Sequence, residues 1–178
     1  MSTPVVAEAS GTAGPGTLHR VWKFGADIDT DVLAPGAYMK LGIEGIAPHC
    51  LESVRPEFAS GVRPGDLLVA GANFGIGSSR EQAVGVLVQL GVRAVVAPSF
   101  GGLYFRNAFN LGLLLLTCPR AGEIDDGTSL QFDARAGCVT LADGRVLPID
   151  PIPGFLLDMV DAGGLLPQLQ KRLARELP

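Results

Sequence analysis

Residues 71–83 read GANFGIGSSREQA: three glycines around an amide and an aromatic ring, then two serines, an arginine and a glutamate. Glycines let a backbone turn tightly and approach a ligand, and serines beside a guanidinium can bind an anion or activate a hydroxyl. Three templates use such parts, and each can be checked by position. A phosphate-binding loop requires a second glycine five residues after the first and then a lysine; counting from Gly71 puts Ile76 there, and no lysine precedes the serines. A dinucleotide fingerprint can begin at Gly75 and Gly77, but Arg80 occupies its third glycine position, where helix and strand must pack closely. A nucleophile elbow, G-x-S-x-G, fails because Ser79 is followed by Arg80 and Glu81.

A strand end followed by a helix start remains, with Ser78 and Ser79 where unpaired helical N–H groups attract anions. Arg80 adds a planar fork suited to a carboxylate, so a small organic acid fits better than a nucleotide. The competing reading makes Ser78 or Ser79 a simple N-cap, with Glu81 or Gln82 completing a capping box and Arg80 solvated. A second polar segment, GADIDTDVLAPG, spaces Asp27, Asp29 and Asp31 as a calcium loop would, but the glycine and glutamate such a loop needs are missing at the required offsets. A turn whose aspartates bond their own backbone is the plainer expectation.

The flanking patterns show what must hold these two loops. LHRVWKF, residues 18–24, alternates as a first strand; GDLLVAG, residues 65–71, is a buried strand running into the glycine loop. REQAVGVLVQLG, residues 80–91, has the apolar spacing of a helix closed by Gly91. RAVVAPS, FGGLYFRNAFNLG and LLLLTC then give strand, helix and strand, so the order β-α-β-α-β predicts a wound parallel unit. Between the two loops, Pro48 and Pro56 limit the segment to one or two short helices. TSLQFDARAGCVTLADGRVLPI alternates around two turns and predicts antiparallel strands, and two helical pieces separated by Gly163 and Gly164 close the chain. The fold class expected is α/β, with a mixed, parallel-containing central sheet flanked by helices.

Composition narrows the partners. With 47% apolar and 18% charged residues over 178 positions, the chain supports one well-filled core. Its net charge of -4, without a basic cluster, offers no footprint for nucleic acid, and no apolar run approaches the length of a membrane helix. MSTPVVAEASGTAGPGT, residues 1–17, has neither the basic start nor the apolar stretch of a secretory signal; it is expected to be a flexible leader on a cytoplasmic protein. Cys50, Cys118 and Cys138 are odd in number and far apart, which argues against a disulfide framework or a metal site built by this chain alone. Cys118, after LLLLT, is expected to be a buried core thiol, and His49 next to Cys50 is at most half of a metal site.

Taken together, DIDTDVLAPGAYMK, GDLLVAGANFGIGSSREQA, RAVVAPSFGGLYFRNAFNLGL and DAGGLLPQL resemble the small-subunit family of 3-isopropylmalate dehydratases, which corresponds to the mobile domain of aconitases. The resemblance runs from about Leu18 to Leu169. It implies a swivelling β/β/α domain over residues 18–178 and an active site shared with a large subunit that holds a [4Fe-4S] cluster on its own cysteines, none being bound here. It implies that Ser78 is the catalytic base, that Ser79 and Arg80 hold a substrate carboxylate, and that Asp31 is a catalytic aspartate.

Two departures bear on activity. Gln82 stands where the family commonly has histidine, a change expected to tune activity without abolishing it. The substrate-specificity segment reads Tyr38, Met39, Lys40, Leu41 and Gly42, where aconitases resemble Trp-Leu-Lys-Phe-Arg. Without that arginine, an alkyl-substituted malate such as isopropylmalate is favoured over citrate, although Lys40 could still meet a further carboxylate. The function implied is a hydro-lyase subunit of leucine biosynthesis. The alternatives are a sibling acting on 2,3-dimethylmalate, citraconate or another alkyl malate, and a non-catalytic carboxylate-binding assembly module.

Overall fold

The structure, a computed structural model, describes residues 16–176. The expected leader therefore lies almost wholly outside the described residues. Seven strands form one sheet in the order β4-β3-β2-β1-β5-β6-β7. The parallel half consists of β1 (His19–Lys23), β2 (Leu67–Val69), β3 (Ala94–Ala97) and β4 (Leu114–Thr117). The antiparallel half, β5 (Ser129–Asp133), β6 (Cys138–Leu141) and β7 (Val146–Pro148), joins it through β1, where His19 pairs with Leu130.

The two halves follow from different hydrophobic patterns. AVVA of β3 is buried at every position, as a strand covered on both faces must be, whereas SLQFD of β5 alternates, burying Leu130 and Phe132. Helix α4 (Gln82–Gln89) follows β2 and α5 (Gly102–Asn110) follows β3, and the two pack together. The closing helices α6 (Gly154–Ala162) and α7 (Leu165–Glu176) are separated by Gly163 and Gly164 as the sequence implies, and both contact α5.

The segment after β1 is more structured than its polar sequence indicates. It contains α1 (Thr30–Leu33), a six-residue 3-10 turn over Gly36–Leu41, α2 (Gly42–Ile46), a second 3-10 turn and α3 (Phe58–Gly61). Asp29 caps α1 by accepting the Val32 N–H at 2.8 Å, which is the backbone-bonding aspartate anticipated for this loop. Both α1 and α2 pack on α4, and the 3-10 turn between them packs on α2.

Beneath the sheet junction, the buried Asp66 carboxylate collects Arg20, the Trp22 indole N–H at 2.9 Å and the Arg63 amide at 2.9 Å. Burial opposes its ionisation, but these donors outweigh burial and hold it below the usual carboxylate range. Such a cluster ties β1, β2 and the chain entering β2 into one unit.

Candidate active site

The glycine loop lies at the carboxyl ends of the parallel strands, the customary position for sites in wound sheets. It is stitched to both neighbouring loops. Gly75 donates its N–H to Ile28 O at 2.7 Å, and Thr30 donates its N–H to Ile76 O at 2.9 Å. On the other side, Phe74 donates to Ser99 O at 3.1 Å and Gly101 to Phe74 O at 2.9 Å. The Phe74 ring is fully buried against the edges of Phe100 and Tyr104. Gly75 has φ +77°, and a Cβ there would enter the Tyr104 ring, so both conformation and space require glycine.

Helix α4 begins at Gln82, not at Arg80 as the sequence pattern indicates. Neither serine is its N-cap, Glu81 at the cap position makes no side-chain capping bond, and no capping box forms. The reason is tertiary: the Ser78 N–H is drawn across to Thr30 Oγ1 at 3.0 Å, and the Ser79 carbonyl accepts a bond from Asn107 Nδ2 at 3.0 Å. These bonds hold the serines outside the helix, ahead of its first turn. The backbone amides of Ser79, Arg80 and Glu81 bond no other described group, leaving donors ahead of the helix as anion-binding sites require.

Arg80 is not solvated. Its Nε donates to Ser78 Oγ at 2.8 Å, and Nη1 donates to Ala34 O at 2.9 Å and meets Asp31 Oδ1 at 2.6 Å. Asp31 is mostly exposed while Arg80 is largely covered, so the carboxylate occupies one open side of a fixed cation. Ser78 Oγ also lies 3.2 Å from Thr30 Oγ1. Ser78, Arg80 and Asp31 thus converge in one place. The Ser79 hydroxyl, by contrast, bonds no described group although its residue is exposed beside them.

The specificity segment is held separately. The Tyr38 ring stacks on His49 with centroids 3.5 Å apart and planes 8° from parallel, and His49 Nδ1 lies 2.7 Å from Glu52 Oε2. His49 is therefore an anchor for Tyr38. Its sequence neighbour Cys50 is fully buried. Lys40 and Leu41 are exposed, while Met39 lines a cleft of about 290 Å³ with Ile43, Gln82, Gly85 and Leu111. No hydrogen bond joins these four residues to Ser78, Arg80 or Asp31 among the described groups.

Residues 56–121 match the family described as the aconitase C-terminal domain. The 3-isopropylmalate dehydratase small subunit 1 of Archaeoglobus fulgidus is 46% identical over 151 residues, covering 84% of this chain and 94% of that one. The chain belongs to the family of 3-isopropylmalate dehydratase small subunits. Within that family it is also similar to the methanogen homoaconitase small subunit of Methanothermobacter thermautotrophicus, at 42% identity over 83% of this chain and 86% of that one. A crystal structure of 3-isopropylmalate dehydratase from Methanocaldococcus jannaschii superposes with a TM-score of 0.84 at 35% identity, covering 89% of this chain and 96% of that chain.

The residues of this small subunit do not fit an iron-sulfur cluster. Cys50 and Cys118 are fully buried at separate places in the core, and burial pushes both thiols up, away from the thiolate that ligation requires. Among the described residues, no group of three or more histidine, cysteine, aspartate or glutamate side chains is arranged to hold a metal. Nor is any described helix long and apolar enough to cross a membrane.

Sequence reasoning passed over Thr30 and Asn107. Neither residue type nor spacing marks out Thr30 within the aspartate loop or Asn107 within its helical stretch. Only the meeting of three loops and a helix gives either residue its contact.

Proposed function

We propose that this chain is the small subunit of a cytosolic 3-isopropylmalate dehydratase, contributing the proton-abstracting half of an active site shared with a large subunit. The observation that carries the reading is Ser78 Oγ held at 2.8 Å from Arg80 Nε, with the Arg80 guanidinium fixed by Asp31 and Ala34 O. A serine hydroxyl is too weak an acid to act as a base unless its alkoxide is stabilised by positioned donors and positive charge. Arg80 supplies that charge at bonding distance.

In this reading Ser78 alkoxide accepts the proton from the substrate carbon beside a carboxylate. The electron pair left on that carbon spreads onto the carboxylate oxygens, and the hydroxyl on the neighbouring carbon departs to give the alkene diacid. Addition of water in the opposite sense completes the exchange between 3-isopropylmalate and 2-isopropylmalate. Arg80, the free amides of residues 79–81 and the Ser79 hydroxyl bind the carboxylate whose charge grows, so they favour the transition state over the ground state. Asp31 keeps Arg80 oriented, and the hydroxyl leaves on the large subunit's side of the site. The [4Fe-4S] cluster of the heteromer belongs to that large subunit, and residues 18–178 form the domain that moves against it.

Tyr38, Met39, Lys40 and Leu41 shape the pocket for the third substituent. Their arginine-free, partly apolar character supports an alkyl group. The exposed Lys40, together with the likeness to a homoaconitase small subunit, supports a second reading in which the substrate carries an extra carboxylate. Reconstitution with the large subunit and assay against isopropylmalate, dimethylmalate, citraconate and citrate separates them. Preference for isopropylmalate supports the first reading; preference for citrate supports the second.

A further inference from the structure

Thr30 is one of the few buried polar residues, 2% exposed, and it faces the proposed base. Its Oγ1 accepts the Ser78 N–H at 3.0 Å and lies 3.2 Å from Ser78 Oγ. While Ser78 is a neutral alcohol, either hydroxyl can donate to the other. Once Ser78 is an alkoxide it has no proton to give, and Thr30 is then the only possible donor of that bond. The Thr30 N–H and the Ile76 carbonyl, 2.9 Å apart, lock the two loops in register. Gly77 makes the approach possible: it has φ +113°, and a Cβ there would stand 2.8 Å from Thr30 Oγ1.

From this geometry, and resting on the reading of Ser78 as base, we propose that Thr30 is a positioning residue that donates its hydroxyl to the Ser78 alkoxide and completes an oxyanion pocket with Arg80 Nε. Two donors then converge on one oxygen from opposite loops, Arg80 from the glycine loop and Thr30 from the aspartate loop. Thr30 is buried behind the exposed Ser78, and a hydrogen bond to a charged oxygen is stronger than one to a neutral hydroxyl. The same hydroxyl fixes the Ser78 backbone, so it sets both the direction and the basicity of Oγ.

The test uses the reconstituted heteromer and isopropylmalate carrying deuterium at the carbon that loses its proton. Thr30→Val retains the shape and removes the donor; Thr30→Ser restores it. The expected result for Thr30→Val is a fall in kcat of about 10- to 100-fold, the usual worth of a hydrogen bond to a charged group. KM should change little and the deuterium isotope effect on kcat should rise, because proton abstraction has become slower. Thr30→Ser should return both toward the starting values. An unchanged kcat in Thr30→Val, or a loss that Thr30→Ser does not rescue and that leaves the isotope effect unaltered, overturns the proposal. Ser78→Ala assayed alongside separates the two levels: if it is inactive while Thr30→Val is normal, only the role of Thr30 fails, whereas turnover by Ser78→Ala removes the base itself.

Discussion

Asp31 and Arg80 face each other from two loops that follow different strands, Oδ1 and Nη1 2.6 Å apart. The carboxylate stands where a second anion could engage the same guanidinium, so it both orients the fork and leaves its outer edge open. Arg80→Lys keeps a positive charge but loses the planar set of donors that reaches Ser78, Ala34 O and Asp31 together. We expect kcat/KM of the reconstituted enzyme to fall by about 100-fold or more, on the scale of losing one positioned donor. Steady-state kinetics check this, with circular dichroism confirming an unchanged fold.

The Tyr38 and His49 rings give a second prediction. A stack of this kind is worth about 0.5–1.5 kcal/mol, and here it holds the specificity segment on the chain that precedes α3. His49→Ala should lower the melting temperature only slightly while raising KM for isopropylmalate several-fold and blurring the preference among alkyl malates. The substrate panel run on the variant provides the measurement. An unchanged preference would detach Tyr38 from substrate selection.

Gly75 marks the least replaceable turn of the glycine loop. Gly75→Ala places a side chain at φ +77° and into the Tyr104 ring. The left-handed conformation and the overpacking together should cost about 2–4 kcal/mol. Urea unfolding of the isolated chain measures that loss, which should appear as a lower midpoint with an unchanged slope.

Acid should destabilise the fold in two stages. His19 is buried, its Nδ1 bonded to Gly65 O at 2.7 Å, and burial lowers its pKa despite that bond. The unfolded state therefore binds the His19 proton more readily, and stability is lost as pH falls below the ordinary imidazole value near 6.5. Asp66 has a depressed pKa in the fold, so its contribution is present above the ordinary carboxylate range and disappears as pH drops through the folded value. Thermal melts from pH 8 to pH 3 should show both losses. His19→Gln should remove the first, and Asp66→Asn should lower stability at neutral pH and flatten the second.

Much of the architecture was legible because burial leaves simple marks. AVVA without alternation reads as a covered parallel strand, and SLQFD with strict alternation reads as one with a single buried face. The glycine loop, the serines and Arg80 were likewise visible by residue type. The start of α4 was not, because local capping preference at Ser78 and Ser79 gives way to bonds from Thr30 and Asn107, which lie 48 and 28 residues away. Thr30 escaped notice for the same reason: its chemistry exists only where the β1 loop and the β2 loop meet. The one or two short helices expected after the aspartate loop correspond to α2 and α3, whereas α1 was expected as a turn because it depends on packing against α4 more than on its own periodicity.

The central claim is that Ser78 removes the proton. Ser78→Ala, purified with the large subunit and assayed with isopropylmalate beside the unaltered pair, tests it most directly. The account predicts a correctly folded, normally assembled complex with no detectable turnover. Turnover equal to that of the unaltered pair would contradict it.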